Sequence, residues 1–225
     1  MVNVTKKKTS LVKCLNLLLD KCVEHEKTHV GSSFSTLPTL FEIYTKLNLN
    51  DKVVLSNGHS SSALYVVLEE FYGIDSNLLF SQMGDHPKRD VKNGIWCSTG
   101  SLGMGISVAV GMAFSNPKND VHCVISDGEC AEGVVWESLA FAEKQGLINL
   151  HIYVVVNGYS AYDVVDSKYL VHRLKAFYPR IEISYANVDY LGLPGLSAHY
   201  NKINVEMVNS IRGRLSQMEI GRAHV

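Results

Sequence analysis

Two short segments place oxygen donors at the ends of apolar runs. One reads Ser126-Asp127-Gly128-Glu129, the other Asn157-Gly158-Tyr159. Asp127 offers a hard anionic oxygen, Asn157 a neutral amide oxygen, and the backbone near Tyr159 a carbonyl. Mg²⁺ takes such oxygens in an octahedron and typically completes it with phosphate oxygens. A helix after Gly128 would turn free N–H groups and a positive dipole end toward a diphosphate, and Gly128 lets the backbone come close. A lone Asp-Gly or Asn-Gly after a strand is usually only a turn. Here two stand thirty residues apart (157 − 127), each directly after an apolar run, and the pair favours a metal site. A third candidate is the run Ser98-Thr99-Gly100-Ser101-Leu102-Gly103-Met104-Gly105, a loop of small residues.

These segments need a frame that brings them together. Residues 121–126 and 150–156 are short apolar runs that read as buried strands, and 132–145 reads as the helix between them. One strand–helix–strand crossover puts both strand ends on the carboxyl edge of a sheet, where ligands bind. A further strand is expected at 51–55, ahead of Ser56-Asn57-Gly58, with helices over residues 60–72 and 106–114. Leu11, Cys14, Leu15, Leu18 and Cys22 recur at helical spacing. A second helix is expected after Pro38, with Leu40, Ile43, Tyr44 and Leu47 on one face. Residues 82–93 read as irregular. Strands alternating with helices imply an α/β three-layer sandwich with a mainly parallel sheet. Beyond residue 165 the pattern weakens to a loop at 191–195 and a helix over 205–218.

With 225 residues, 46% hydrophobic and 19% charged, the chain has enough apolar material for a full core. A net charge of −1 gives no nucleic-acid footprint. No apolar run approaches the ~20 residues of a membrane span, and no signal peptide is read at the N-terminus. Five cysteines without CxxC spacing read as reduced thiols in a cytoplasm. His122 and His151 sit inside strand runs and read as packing residues. Trp96, Trp136 and Tyr153 read as core or interface residues. Residues 1–218 are taken as one domain; 219–225 resemble translated adapter sequence and are read as a tail that need not be native.

Asp127-Gly128 with Asn157 resembles the thiamine diphosphate motif of the transketolase family. The resemblance extends over about residues 25–165, in family order. Leu55-Ser56-Asn57-Gly58-His59 with Ala63-Leu64-Tyr65 looks like the segment before a family active-site histidine, and His86-Pro87 like its His-Pro pair. The 99–105 run is similar to its glycine-rich cofactor loop. Thr28-His29-Val30-Gly31 is a looser match to a Gly-His-Pro-Gly segment, with Thr and Val at the first and third places.

The resemblance implies a thiamine diphosphate-binding fold and the following roles. Asp127, Asn157 and the Tyr159 carbonyl hold Mg²⁺. Gly100, Ser101, Leu102, Gly103, Gly128, Glu129 and Asn157 contact thiamine diphosphate. His29, His59 and His86 line the reaction channel, and Glu132 matches a glutamate at the dimer interface that links two active sites. The implied reaction moves a two-carbon ketol unit from a ketose to an aldose, probed by imidazoles that titrate near neutral pH, with the cofactor as electron sink. The substrate is expected to be a sugar or sugar phosphate. The family's pyrimidine-binding domain, with its activating glutamate, is not found here. A split enzyme is therefore expected, with a C-terminal transketolase subunit as partner in a dimer or heterotetramer. The alternatives are a truncated piece of a full-length transketolase and a non-catalytic cofactor-binding or regulatory subunit.

Overall fold

The computed structural model describes residues 6–222, with side chains described through 217. In chain order the elements are α1 (Leu11–Glu24), α2 (Val30–Lys46), β1 (Lys52–Leu55), α3 (Ser61–Tyr72), α4 (Ser76–Met83), α5 (Met104–Ser115) and β2 (Val121–Ser126). They continue with α6 (Gly133–Lys144), β3 (Leu150–Val156), α7 (Ser167–Phe177), β4 (Glu182–Tyr185), α8 (Ser197–Tyr200) and α9 (Val205–Arg222). The strands form one parallel sheet in the order β1-β2-β3-β4.

Alternation along the strands builds two cores. Val53, Leu55, Val124 and Val155 pack into one with α1, α2, α3, α4 and α9. Val54, Cys123, Ile125, Ile152, Val154 and Val156 pack into the other with α5, α6 and α7. The sheet thus lies between two helical layers, the expected three-layer sandwich, because a parallel strand must bury both faces. Each fully buried aliphatic side chain contributes roughly 1.5–3 kcal/mol of burial free energy.

α1 starts where the Ser10 side chain accepts from Lys13 N, a cap that satisfies one orphan donor. Its apolar face, Cys14, Leu15, Leu18, Leu19 and Cys22, is buried. α2 does not begin after Pro38 as expected; it begins eight residues earlier at Val30 and carries Pro38 inside it. An interior proline costs about 3 kcal/mol, but Val30, Phe34, Leu37, Leu40 and Tyr44 are all buried along this helix, and that packing outweighs the break.

Four elements went unread in the sequence: α4, α7, β4 and α8. α4 is short, started by the Asp75 carboxylate accepting from Asn77 N and Leu78 N. α7 is capped by Asp166, which accepts from Tyr169 N. β4 reads Glu-Ile-Ser-Tyr and is only half-buried, as befits an edge strand. α9 continues through residues 219–222, and 223–225 lie outside the described residues. Among the described residues no helix is long and apolar enough to cross a membrane.

Candidate active site

Ser126 pairs with Val155 in register, so Asp127 and Asn157 leave the sheet side by side. Asp127 is 2% exposed. Its Oδ1 accepts from Gly128 N at 2.9 Å; its Oδ2 accepts from Asn157 N at 3.0 Å and Gly158 N at 2.7 Å. The carboxylate thus fastens the end of β2 to the end of β3. Burial raises its pKa above the ordinary carboxylate value, and the backbone donors oppose this only in part. No lysine or arginine pairs with it among the described residues. A buried, uncompensated anion of this kind suits a cation as its missing partner.

The Asn157 amide donates to Ser35 Oγ at 3.2 Å, and its Oδ1 accepts from Tyr159 N at 3.0 Å. The Tyr159 carbonyl faces Gly128: a Cβ there would lie 3.7 Å from it and 3.0 Å from Ser160 Cα. Gly128 therefore makes room for the 159–160 backbone. The three residues expected to hold Mg²⁺ border one cleft.

The chain after Gly128 differs from expectation. It makes a 3₁₀ turn over Gly128–Ala131, and α6 starts only at Gly133. Gly128 N goes to Asp127 Oδ1, Glu129 N to Ser126 Oγ, and Cys130 N to Asp127 O. These N–H groups are already engaged.

Glu129 is fully buried. Its Oε1 accepts from Ser56 Oγ and Gly103 N, both at 2.6 Å, while its Oε2 has no partner. Ser56 Oγ in turn accepts from Ile106 N at 3.0 Å. Glu129 therefore ties the end of β1 and the start of α5 to the end of β2. Glu129→Ala should lower unfolding stability by about 2–4 kcal/mol, because two buried donors lose their acceptor. Glu129→Gln keeps one acceptor oxygen and should lose under ~1 kcal/mol. Urea unfolding midpoints distinguish the two.

The cleft is also lined by His29, His59, His86, Gly100, Leu102, Gly128, Glu129 and the exposed Glu132. Ser101 and Gly103 lie off it: Ser101 is exposed, and Gly103 is held by Glu129. The cavity measures about 300 Å³, at the low end of the ~300–1,000 Å³ usual for ligand sites. An apolar cavity of similar size lies by the start of β1, lined by Tyr44, Leu68, Tyr72 and Trp96. Lys6, Asn48, Asp51, Lys92 and Asn93 line it too, and it shares no residue with the cleft.

The imidazoles form a cluster that the sequence reading did not complete. His29 and His59 have ring centroids 5.5 Å apart, and His199 sits 4.3 Å from His29 and 6.1 Å from His59. His199 belongs to α8, four residues long and too short to show a period. Gly31 admits it, since a Cβ on Gly31 would meet the Ala198 Cβ at 2.7 Å. His29 N donates to the His199 carbonyl at 2.9 Å. His29 itself is left-handed, φ 55°, a strained conformation for a residue with a side chain and one that gathers at functional sites. Its buried Nδ1 has no partner. His86 lies against Gly100, where a Cβ would come within 3.2 Å of its ring, and Thr99 N donates to Pro87 O at 3.1 Å.

Burial pushes the His59 pKa down to about 3 and the His199 pKa to about 4, with neighbouring imidazoles adding to the shift; His29 is lowered by burial too. These rings are neutral at pH 7, not poised near neutrality as expected. The folded state then binds fewer protons than the unfolded state below pH ~6.5, so stability falls as pH drops through that value. His59→Gln should flatten the decline between pH 6.5 and 5, where one such group contributes up to about 1.4 kcal/mol per pH unit. Melting temperatures of parent and variant across that range test this.

A family described as "Transketolase, thiamine diphosphate binding domain" matches residues 9–169. The chain is 34% identical over 146 residues to a transketolase of Pongo abelii, covering 59% of this chain and 22% of that one. It is 34% identical over 142 residues to the "6-deoxy-6-sulfo-D-fructose transketolase subunit SqwG" of Clostridium sp. (strain MSTE9), covering 54% of this chain and 52% of that one. The chain thus spans about a fifth of the animal enzyme's length and about half of the bacterial subunit's. Among solved structures it superposes on the transketolase of Leishmania mexicana with a TM-score of 0.63 at 17% identity, covering 96% of this chain and 46% of that one. A transketolase variant of Pichia stipitis in complex with fructose-6-phosphate gives 0.67 at 17%, covering 92% and 41%. At that identity the superpositions show a shared fold.

Proposed function

The chain belongs to the transketolase thiamine diphosphate-binding domain family, and from that premise we propose that it is the diphosphate-side half of an enzyme moving a two-carbon ketol unit from a ketose to an aldose. The observation that carries the reading is the shared cleft. Asp127, Asn157 and Tyr159 border the same cavity as His29, His59 and His86. A metal–diphosphate anchor and proton-handling groups are the two things such a reaction requires of a protein.

In this reading Asp127, Asn157 Oδ1 and the Tyr159 carbonyl hold Mg²⁺, which carries the diphosphate of thiamine diphosphate. Gly100, Leu102 and Gly128 form its walls, while Ser101, Gly103 and Glu129 keep the loop in place. The cofactor, when bound, supplies the electron sink. The chain's own residues position and exchange protons. A neutral His59 accepts a proton from a sugar hydroxyl or donates a hydrogen bond to a sugar oxygen. His29, with its unpartnered Nδ1, and His86 share the task across the cleft. Glu132, exposed at the rim, faces the neighbouring subunit.

A relative carrying the word subunit in its name supports a second chain as the source of the pyrimidine-binding domain. The proposed assembly holds two copies of each chain, in the cytoplasm, where the five unpaired thiols stay reduced. A sugar or sugar phosphate is the substrate. The test is reconstitution: ketol transfer with Mg²⁺ and thiamine diphosphate is expected only when a pyrimidine-domain chain is added. Full turnover by this chain alone would overturn the split arrangement.

A further inference from the structure

At the opposite edge of the sheet, where strands begin, a second cluster of ligating groups stands apart from the cleft. Asp51 precedes β1, Asp120 precedes β2, and His122 is the second residue of β2. Their ligand atoms lie within 4.8 Å of one another. His151, the register partner of His122 on β3, stacks on it with centroids 4.9 Å apart, and its Nε2 lies 3.5 Å from Asp120 Oδ1. We infer that Asp51, Asp120 and His122, with His151 beside Asp120 and His122, form a binding site for a first-row divalent cation of the zinc type.

Four observations bear on it. Two carboxylates and an imidazole, with a second imidazole alongside, are a borderline donor set, suited to Zn²⁺ or Co²⁺ rather than to Mg²⁺. Ligands ~2.0–2.1 Å from a tetrahedral ion lie about 3.3 Å apart, close to the His151–Asp120 spacing. His122 Nδ1 lies 3.2 Å from the Tyr153 hydroxyl, which leaves Nε2 free and fixes the ring as outer-shell partners of metal ligands do. The carboxylates also face each other without a cation between them: Asp120 N donates to Asp51 Oδ1 at 3.4 Å, and neither acid pairs with lysine or arginine among the described residues. Lys6 feels Asp51, but its ammonium is bound to the carbonyls of Thr45 and Leu47.

The six residues of β2 separate Asp120 from Asp127, on the order of 20 Å at ~3.3 Å per residue. The ion would not touch the cofactor. It would clamp the entries of β1, β2 and β3, and so stabilise the sheet that carries Asp127 and Asn157 at its far end.

The test uses the full 225-residue chain, free of any polyhistidine tag, saturated with Mg²⁺ and thiamine diphosphate, and titrated with Co²⁺. One saturable equivalent with visible d–d absorption is expected, and Zn²⁺ should displace it and raise the melting temperature. His122→Gln and Asp51→Asn should each weaken Co²⁺ binding ten-fold or more. His59→Gln, in the histidine cluster of the cleft, should leave it unchanged. Asp51 lies outside the regular elements, so its variant keeps the test open if His122→Gln folds poorly. The inference is overturned if the parent shows no saturable Co²⁺ binding, if both variants bind Co²⁺ like the parent, or if the signal is lost in His59→Gln instead.

Discussion

Asp127→Asn should weaken Mg²⁺-dependent binding of thiamine diphosphate by at least about 100-fold and leave the chain folded. Asn keeps the shape of the side chain and an oxygen that can accept from Asn157 N and Gly158 N, the two donors now at 3.0 and 2.7 Å. It removes the negative charge, the hard ligand a divalent cation needs most. Even outer-shell partners of a metal are worth 10–100-fold in affinity, so a direct anionic ligand is worth more. The parent should also lose cofactor affinity as the pH falls, because a proton competes with Mg²⁺ for the carboxylate. Burial raises the Asp127 pKa, so this loss begins at a higher pH than for an ordinary carboxylate. Calorimetric titration at saturating Mg²⁺ measures both effects. Parent-like binding by the variant would remove Asp127 from the metal site.

The parts of this site legible in the sequence share one property. β1, β2 and β3 are apolar runs buried on both faces, each ending abruptly in a polar or glycine residue, so their ends and the Asp127–Asn157 pairing were readable. β4 was not: an edge strand of Glu182, Ile183, Ser184 and Tyr185 is half-exposed and carries no apolar run. Pro38 masked the first half of α2, because the local rule against interior proline says nothing about the packing that overrides it. The 3₁₀ turn at 128–131, just ahead of the helix expected from residue 132, went unread because Asp127 and Ser126 draw the first N–H groups to themselves. Glu129 read as a cofactor contact from its place in the motif. Its hydrogen bonds to Ser56 and Gly103 join positions 73 and 26 residues away, and no local pattern reveals such long-range ties.

His59→Gln should lower turnover of the reconstituted enzyme by two to four orders of magnitude, the usual worth of a positioned acid–base group. The argument turns on its neighbours. Three imidazoles within 4.3 to 6.1 Å of one another cannot all carry charge in a buried cleft, and His59 is the deepest, its pKa pushed down to about 3. A ring that stays neutral across the working range accepts protons without first losing one. It follows that titration of His59 does not set the acid limb of kcat/KM, which reports ionisations of the free enzyme. The variant should therefore lose rate at every pH while the shape of its profile above pH 5 is kept. A gain of stability at pH 5, from removing a buried group that resists protonation, should accompany the loss of rate. A variant within ten-fold of the parent would place His59 outside the chemistry, and a shifted acid limb would show that the ring titrates in the loaded site.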